Sequence, residues 1–345
     1  MSGRSPTMRA LAAQLGLCQA TVSLALRNHP SISVPTRERV QELARQQGYR
    51  ANVLVSALLT QVRSGRLNAY GEVIAFLDAG PKPDSWTVPP SFVEGFKQAG
   101  ARAAQLGLRV DPFWLGPKGA HSAQIARILA SRGIRGFIIP PVPLDLRPLH
   151  LDWGRHASVA VGFSFQQKAV HRVGNGHFNG MFACYKKLHE KGYRRIGLML
   201  RTQDDERALH SWQGAFLIAS RHFGAGVLEP LALQEPCDPA LFFRWFDAHQ
   251  PDAVIGVYPD PALGWLRGRG IKIPKEVGYA SLDVDVSTLG HVAGIRQNHG
   301  AIFATAVEIL AGELSRNEFG LPAIPKVTLI DGMWTDGPTI RARRS

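Results

Sequence analysis

Apolar positions close to the N-terminus recur at helical spacing. Leu11 and Leu15, then Val22 and Leu26, would bury one stripe on each of two short segments, Met8 to Leu15 and Leu17 to Leu26, joined by the turn Gly16-Leu17. Near its start the second segment carries Gln19, Ala20, Thr21 and Ser23, which are small or amide-bearing. Two short helices across such a turn predict a helix-turn-helix, whose second helix enters the DNA major groove. There an amide can hydrogen-bond an adenine edge, Ala and the Thr methyl can touch a thymine methyl, and hydroxyls can reach phosphate. A small helical hairpin inside a larger core is the other reading of this pattern. A third helix is predicted over Val34 to Gln47, with Ser33 as cap, Pro35 in the first turn, Val40, Leu43 and Ala44 on the buried face and Gly48 as the stop.

Asn52 to Arg63 is rich in apolar residues and ends at the polar break Ser64-Gly65-Arg66-Leu67-Asn68. So short a segment with β-branched positions makes a marginal helix in water. It is expected to fold only on contact with something else.

From Tyr70 the period changes. Short apolar runs without polar alternation (Glu72 to Leu77, Arg109 to Leu115, Gly136 to Ile139, Val159 to Phe163) are separated by helical stretches over Phe92 to Leu106 and Ser122 to Ser131. A second series follows: helix Phe178 to Glu190, strand Ile196 to Leu200, helix Glu206 to His222, strand Ala253 to Val257, helix Pro261 to Arg269 and strand Val277 to Leu282. Strands of this kind belong to parallel sheets covered on both faces. Two series predict an α/β fold in which an all-α head is followed by two doubly wound subdomains with a cleft between them.

The chain has 345 residues, enough for two or three domains, and its 45% hydrophobic content can fill a substantial core. The formal charge of +13 is uneven: residues 1–66 hold nine Arg against only Glu38 and Glu42. A basic head on a more balanced body is the footprint of a polyanion-binding module. Cys18, Cys184 and Cys237 are odd in number and lack metal-ligand spacing, which fits a reducing cytoplasm better than a disulfide framework. No apolar run is long enough for a signal core or a membrane span, so a cytoplasmic, membrane-free location is expected. No G-x-S-x-G, P-loop, H-E-x-x-H or strand-borne G-x-G-x-x-G occurs, and the twelve His are scattered without metal-ligand spacing. An enzyme, a metal site and a cofactor are therefore not expected, and His171, His177, His189, His291 and His299 read as surface or helix-end histidines.

Four segments in order, Thr7-Met8-Arg9-Ala10-Leu11-Ala12, Ala20-Thr21-Val22-Ser23, Ser33-Val34-Pro35-Thr36-Arg37-Glu38-Arg39-Val40 and Gly48-Tyr49-Arg50-Ala51-Asn52, resemble the DNA-binding headpiece of the lactose/galactose repressor (LacI/GalR) family. The body is similar as well, at Leu188-His189-Glu190-Lys191-Gly192-Tyr193-Arg194-Arg195-Ile196-Gly197, Asp260-Pro261-Ala262-Leu263-Gly264, Ile273-Pro274-Lys275-Glu276-Val277 and Gly294-Ile295-Arg296-Gln297. The resemblance implies a head over 1–50, a hinge helix and linker over 51–68 and an effector-binding, dimerising core of the periplasmic-binding type over 69–345. Subdomain 1 would hold about 69–174 and 298–324, subdomain 2 about 175–297 and 325–345, with crossings near 175, Asn298 and Pro325.

The implied function is a transcriptional regulator of repressor type: a homodimer on a near-palindromic double-stranded operator, controlled by a small carbohydrate-like effector. A body that senses a protein partner, or no ligand, is the alternative. DNA contacts are implied for Thr7, Cys18, Gln19, Ala20, Thr21, Ser23, Leu24, Arg27, Ser33 and Thr36, with Asn52 anchoring a hinge whose Leu58 would wedge into the central base step. Leu24 stands where the family usually has Arg, Arg27 where it has Asn and Cys18 where it has Ser, so the operator is expected to depart from the common family site. The tail from Thr339 to Ser345 carries no leucine heptad, which favours a dimer over a coiled-coil tetramer.

For the cleft, Asp283 and Asp260 each follow a predicted strand, where open α/β sheets bind ligands. Asp283 matches the family's effector aspartate, with loop capping as the alternative. Trp86 offers a flat face for a ring or a lid or subunit contact, and Arg207 and Trp212 lie in or beside the helix where the family carries a clamping Arg. Here the residue three before Gly214 is Ser211, and Asn175 stands where an Asp is common. Gln297, at a crossing, reads as hinge support more than ligand contact.

Overall fold

The computed structural model describes residues 8–26, 31–47, 49, 72–224, 226–257 and 261–341. Thr7, Arg27, Asn52, Leu58 and Asp260, and the whole segment expected to form the hinge, lie outside the described residues.

The head contains α1 (Met8–Leu15), α2 (Gln19–Leu26) and α3 (Val34–Gln46). Gly16, with φ at +66°, turns the chain between the first two, a conformation that glycine adopts without cost. Helix α2 starts at Gln19 rather than Leu17, because Leu17 N–H is still bonded to the Ala12 carbonyl. One face of each helix meets the others through fully or almost fully buried Leu11, Ala12, Val22, Ala25, Val40 and Ala44. Side chains of α3 cap its neighbours: Gln41 Nε2 donates to the Ala25 carbonyl at 3.2 Å and Arg39 to the Leu15 carbonyl at 3.5 Å. These bonds satisfy carbonyls left open at helix ends.

In the body, the first sheet has the order β11-β5-β4-β3-β1-β2. Its strands are β1 (Glu72–Asp78), β2 (Leu108–Trp114), β3 (Gly136–Ile139), β4 (Ala157–Val161), β5 (His171–Asn175) and β11 (Val327–Ile330), all parallel. The second has the order β12-β10-β9-β8-β6-β7, from β6 (Ile196–Arg201), β7 (Leu231–Leu233), β8 (Ala253–Gly256), β9 (Gly278–Ser281), β10 (Ala293–Arg296) and β12 (Met333–Thr335). Among the described residues, only the pairing of β12 with β10 is antiparallel. Alternate residues of one strand serve different cores, as a parallel sheet buried on both faces requires. Ile74 and Phe76 of β1 join the core on one face, and Ala75 and Leu77 the core on the other.

The first sheet is covered by α4 (Pro90–Gln105), α5 (Ser122–Ser131) and α11 (His299–Arg316), the second by α6 (His177–Glu190), α8 (Ser211–His222), α9 (Pro239–His249) and α10 (Ala262–Gly268). Between β6 and α8 lies the short α7 (Thr202–Arg207). The predicted helix from Glu206 to His222 is therefore two helices, because Leu209 and His210 both adopt left-handed backbone, φ 51° and 56°. His210 is held there by a 2.7 Å hydrogen bond between its Nδ1 and Asp205.

The chain crosses between lobes three times: after Asn175, between Arg296 and His299, and between Ile330 and Met333. Residues 327–330 thus pair with β5 in the first sheet, although everything after 324 was expected in the second subdomain. The crossings brace one another: Asn298 Nδ2 donates to the Asp331 carbonyl at 2.7 Å and Asn179 Nδ2 to its carboxylate at 3.1 Å. Among the described residues no helix is long and apolar enough to cross a membrane.

Candidate functional site

Two sites follow from this architecture. On the head, packing of Val22 and Ala25 inward turns the opposite face of α2 outward, leaving Cys18, Gln19 and Ala20 exposed and Thr21, Ser23 and Leu24 half-buried. Cys18 takes the cap position: its Sγ accepts from Thr21 N–H at 3.4 Å and lies 3.1 Å from Thr21 Oγ1. The thiol thus does what a capping hydroxyl does, and these bonds hold its pKa below the ordinary thiol value. Ser33 Oγ and Thr36 Oγ1 meet at 2.9 Å at the start of α3. Free backbone N–H groups at helix starts, beside hydroxyls, are suited to phosphate oxygens.

In the body, a cavity of about 450 Å³ opens where the carboxyl ends of both sheets face each other. The first lobe contributes Phe92 from the start of α4, Phe163 beyond β4, Asn175 at the end of β5 and Phe303 of α11. The second contributes His177 opening α6, Arg201 ending β6, Asp204 and Arg207 of α7, Trp212 of α8 and Asp283 beyond β9. Ligand sites in open α/β sheets form at such strand ends.

Two of the cavity's basic groups, Arg201 and His299, are paired with carboxylates. Arg201 Nε donates to Asp204 at 2.6 Å and its Nη1 lies 3.5 Å from Glu235. His299 Nε2 lies 3.0 Å from Asp283 Oδ1. Burial opposes the charged form of His299, but the hydrogen bond and charge of Asp283, with Asp285 behind it, outweigh burial and raise its pKa above the ordinary imidazole value. His177 behaves oppositely: burial, reinforced by the positive His299, lowers its pKa to about 4. It is neutral at pH 7.

Some neutral polar groups, by contrast, are unpartnered. Among the described residues, Asn175 Oδ1, His177 Nδ1 and Trp212 Nε1 are buried and find no hydrogen-bond partner. The Trp212 and His177 rings meet edge to face at 4.5 Å between centroids, and Asn175, His177 and Trp212 all line the cavity. Each orphaned group costs about 1–3 kcal/mol unless something meets it. A wall combining them with Phe163 and Phe303 can hold a flat or ring-shaped molecule rich in hydroxyls.

Of the residues singled out in the sequence, Asp283, Arg207 and Trp212 line this cavity. Trp86 instead packs into the first lobe's core, its ring centroid 4.2 Å from Phe96 and 6.0 Å from Phe76. Gln297 is buried, donates to the Leu282 carbonyl at 2.7 Å and lines an adjoining cavity of about 360 Å³. His177 and His299 stand at helix starts as read, yet point into the cleft and not to the surface. Their signal was position: each follows a strand end by two or three residues, a relation invisible until β5 and β10 are recognised.

The chain thus combines a three-helix head, with one face of its second helix turned outward, and two doubly wound lobes around a ligand-sized cleft. Residues 7–52 match the family model of bacterial regulatory proteins, lacI family. No curated protein sequence matches the chain. Among solved structures it is similar to the transcriptional regulator CelR in complex with cellobiose, with 18% identity, TM-score 0.59 and 97% of this chain and 99% of that one covered. It is also similar to the lac repressor dimer bound to operator and the anti-inducer ONPF, at 16% identity and TM-score 0.56, covering 97% and 99%. A periplasmic binding protein/LacI transcriptional regulator from Alkaliphilus metalliredigens complexed with D-xylulofuranose aligns at 15% identity and TM-score 0.56, over 78% of this chain and 98% of that one. These likenesses carry the fold.

Proposed function

We propose that the chain is a sequence-specific, homodimeric DNA-binding repressor whose operator affinity is switched by a small, neutral, sugar-like effector in the cleft. The observation that carries the DNA half is the helix-turn-helix within the family match over residues 7–52, with the reading face of α2 outward. Two heads related by a two-fold axis read two half-sites, so the operator is near-palindromic. Cys18, Gln19, Ala20, Thr21, Ser23 and Leu24 supply base and backbone contacts, and Ser33 and Thr36 supply phosphate contacts. The lac repressor structure, which includes operator DNA, is in keeping with this docking.

The effector half rests on three cleft-lining residues, Asn175, His177 and Trp212, each of which carries a buried polar atom without a hydrogen-bond partner. Asn175 Oδ1 needs a donor and Trp212 Nε1–H needs an acceptor; a hydroxyl supplies both roles, whereas a carboxylate or phosphate supplies only acceptors. Arg201 and His299 are paired with carboxylates, and Arg207 is tied to the Val142 carbonyl, so these cations are already engaged. Cellobiose and D-xylulofuranose, the sugars in the complexes of two neighbours, fit the same chemistry. The cleft is read as a binding site and not a catalytic one, and the protein as cytoplasmic, where its DNA is.

A thermal-shift screen against mono- and disaccharides tests the effector. At least one sugar raises the melting temperature of the wild-type chain, and Asn175→Leu and Trp212→Phe each remove most of that rise; each loses a bond worth about 1 kcal/mol or more. Stabilisation confined to sugar phosphates or sugar acids would contradict the neutral-effector reading.

A further inference from the structure

We infer that His299 is a built-in occupant of Asp283: it clasps the two lobes across the cleft, and a ligand reaches that carboxylate only by displacing it. The inference rests on the proposed effector site but concerns a contact within the chain itself. His299 is the first residue of α11, which packs on β4 and α4 of the first lobe. Asp283 belongs to the second lobe, fixed beyond β9 by its backbone N–H on Ser281 Oγ at 3.1 Å and by the next residue's bond to Ile295 in β10. The 3.0 Å contact therefore joins two bodies that are also linked through their crossing segments.

A second bond spans the cleft on its other side. Arg207 Nη1 of α7 donates to the Val142 carbonyl of the first lobe at 3.2 Å. That bond is independent of pH near neutrality because the guanidinium stays charged. The histidine bond is not. An imidazolium–carboxylate hydrogen bond of this type shifts a two-state ratio by roughly ten- to a hundredfold, and the shift falls away when the ring loses its proton.

The groups facing His299 determine the direction. Asp283 and Asp285 from the loop after β9 favour its proton, and His177 at the start of α6 stays neutral through the neutral range. Glu94 of α4 and Arg296 of β10 share the adjoining cavity with it, and Arg201, Arg207, Asp204 and Glu235 lie across the main one. Because the folded-state pKa of His299 is raised, the clasp is fully formed below the ordinary imidazole range and is lost as pH rises through the raised value. Hydroxyl ligands of Asp283 meet less competition at higher pH.

The test needs neither DNA nor sugar, so its outcome is separate from that of the effector reading. Spin labels at exposed Lys168 in the first lobe and Gln234 in the second, placed in the full chain with Cys18→Ser and Cys237→Ser and diluted with unlabelled chain, report the lobe-to-lobe distance by pulsed dipolar spectroscopy. At about pH 6 the labelled parent gives a short, narrow distribution, and at about pH 9 the distribution moves to longer distances. His299→Leu and Asp283→Asn each give the longer distribution at both pH values, and the two variants test one contact from opposite sides. A parent distribution that neither variant nor the pH change moves would overturn the clasp.

Discussion

Val22→Asp abolishes operator binding while the body stays folded. Val22 is fully buried at the centre of a head core made from Leu11, Ala12, Ala25, Val40 and Ala44. An unpaired carboxylate in such a site costs several kcal/mol. A three-helix unit of this size holds only about 3–5 kcal/mol in total, so the head unfolds outright. The body has four separate cores of its own, none of which includes a head residue. Calorimetry should show the main transition unmoved, while mobility shift on a specific duplex shows no retained complex. Val22→Ala, a cavity of about 1–3 kcal/mol, should weaken binding without eliminating it. Retention of specific DNA by the Asp variant would mean that the head does not fold around Val22.

Gly294→Ala carries the largest expected cost in the body. Gly294 sits in β10 with φ at +152°, and a Cβ there would lie 1.9 Å from the Ser281 carbonyl oxygen and 2.6 Å from its nitrogen. Those atoms are backbone, so no side chain can swing away. Gly294 is the partner of Ser281 in the β9–β10 ladder, two residues before Asp283, so relief of the clash must part the strands that carry the cleft carboxylate. The expected cost exceeds about 3 kcal/mol. Urea denaturation should show the midpoint falling steeply. Gly264→Ala, in α10 with open space around the position, serves as the control and should stabilise by about 0.5–1 kcal/mol.

The elements legible in the sequence were those whose pattern is local. The head was readable because each of its helices carries its own stripe, and strands such as β1 and β8 were readable because burial on both faces leaves an unbroken apolar run. The strands that escaped are short or sit at edges. β5 reads His171-Arg172-Val173-Gly174-Asn175, and its Arg172 is buried only because it donates to the Gly162 and Phe165 carbonyls, a tertiary contact. β11 alternates partly buried and exposed residues at a sheet margin. Missing β5, and β10 with it, hid which histidines stand at strand ends.

The cleft shows the same division. Asp283, Arg207 and Trp212 could be proposed from strand ends and helix position, and they do line the cavity. The clasp of Asp283 by His299 could not, because it joins a loop after β9 to a helix beyond the second crossing. Trp86 could be read as a face for a ring or as a lid or subunit contact, for want of any sign that it would pack against Phe76 and Phe96. A large aromatic in a Gly- and Pro-bearing loop is ambiguous until its neighbours are known.

Selection of bound duplexes from a randomised pool by the full-length chain, repeated with a stabilising sugar present, tests the central claim most directly. The account predicts enrichment of one near-palindromic site, distinct from the common family operator, whose capture changes when the sugar is added. A pool that stays random after repeated rounds, or a selected site whose capture is indifferent to every sugar that stabilises the chain, would contradict it.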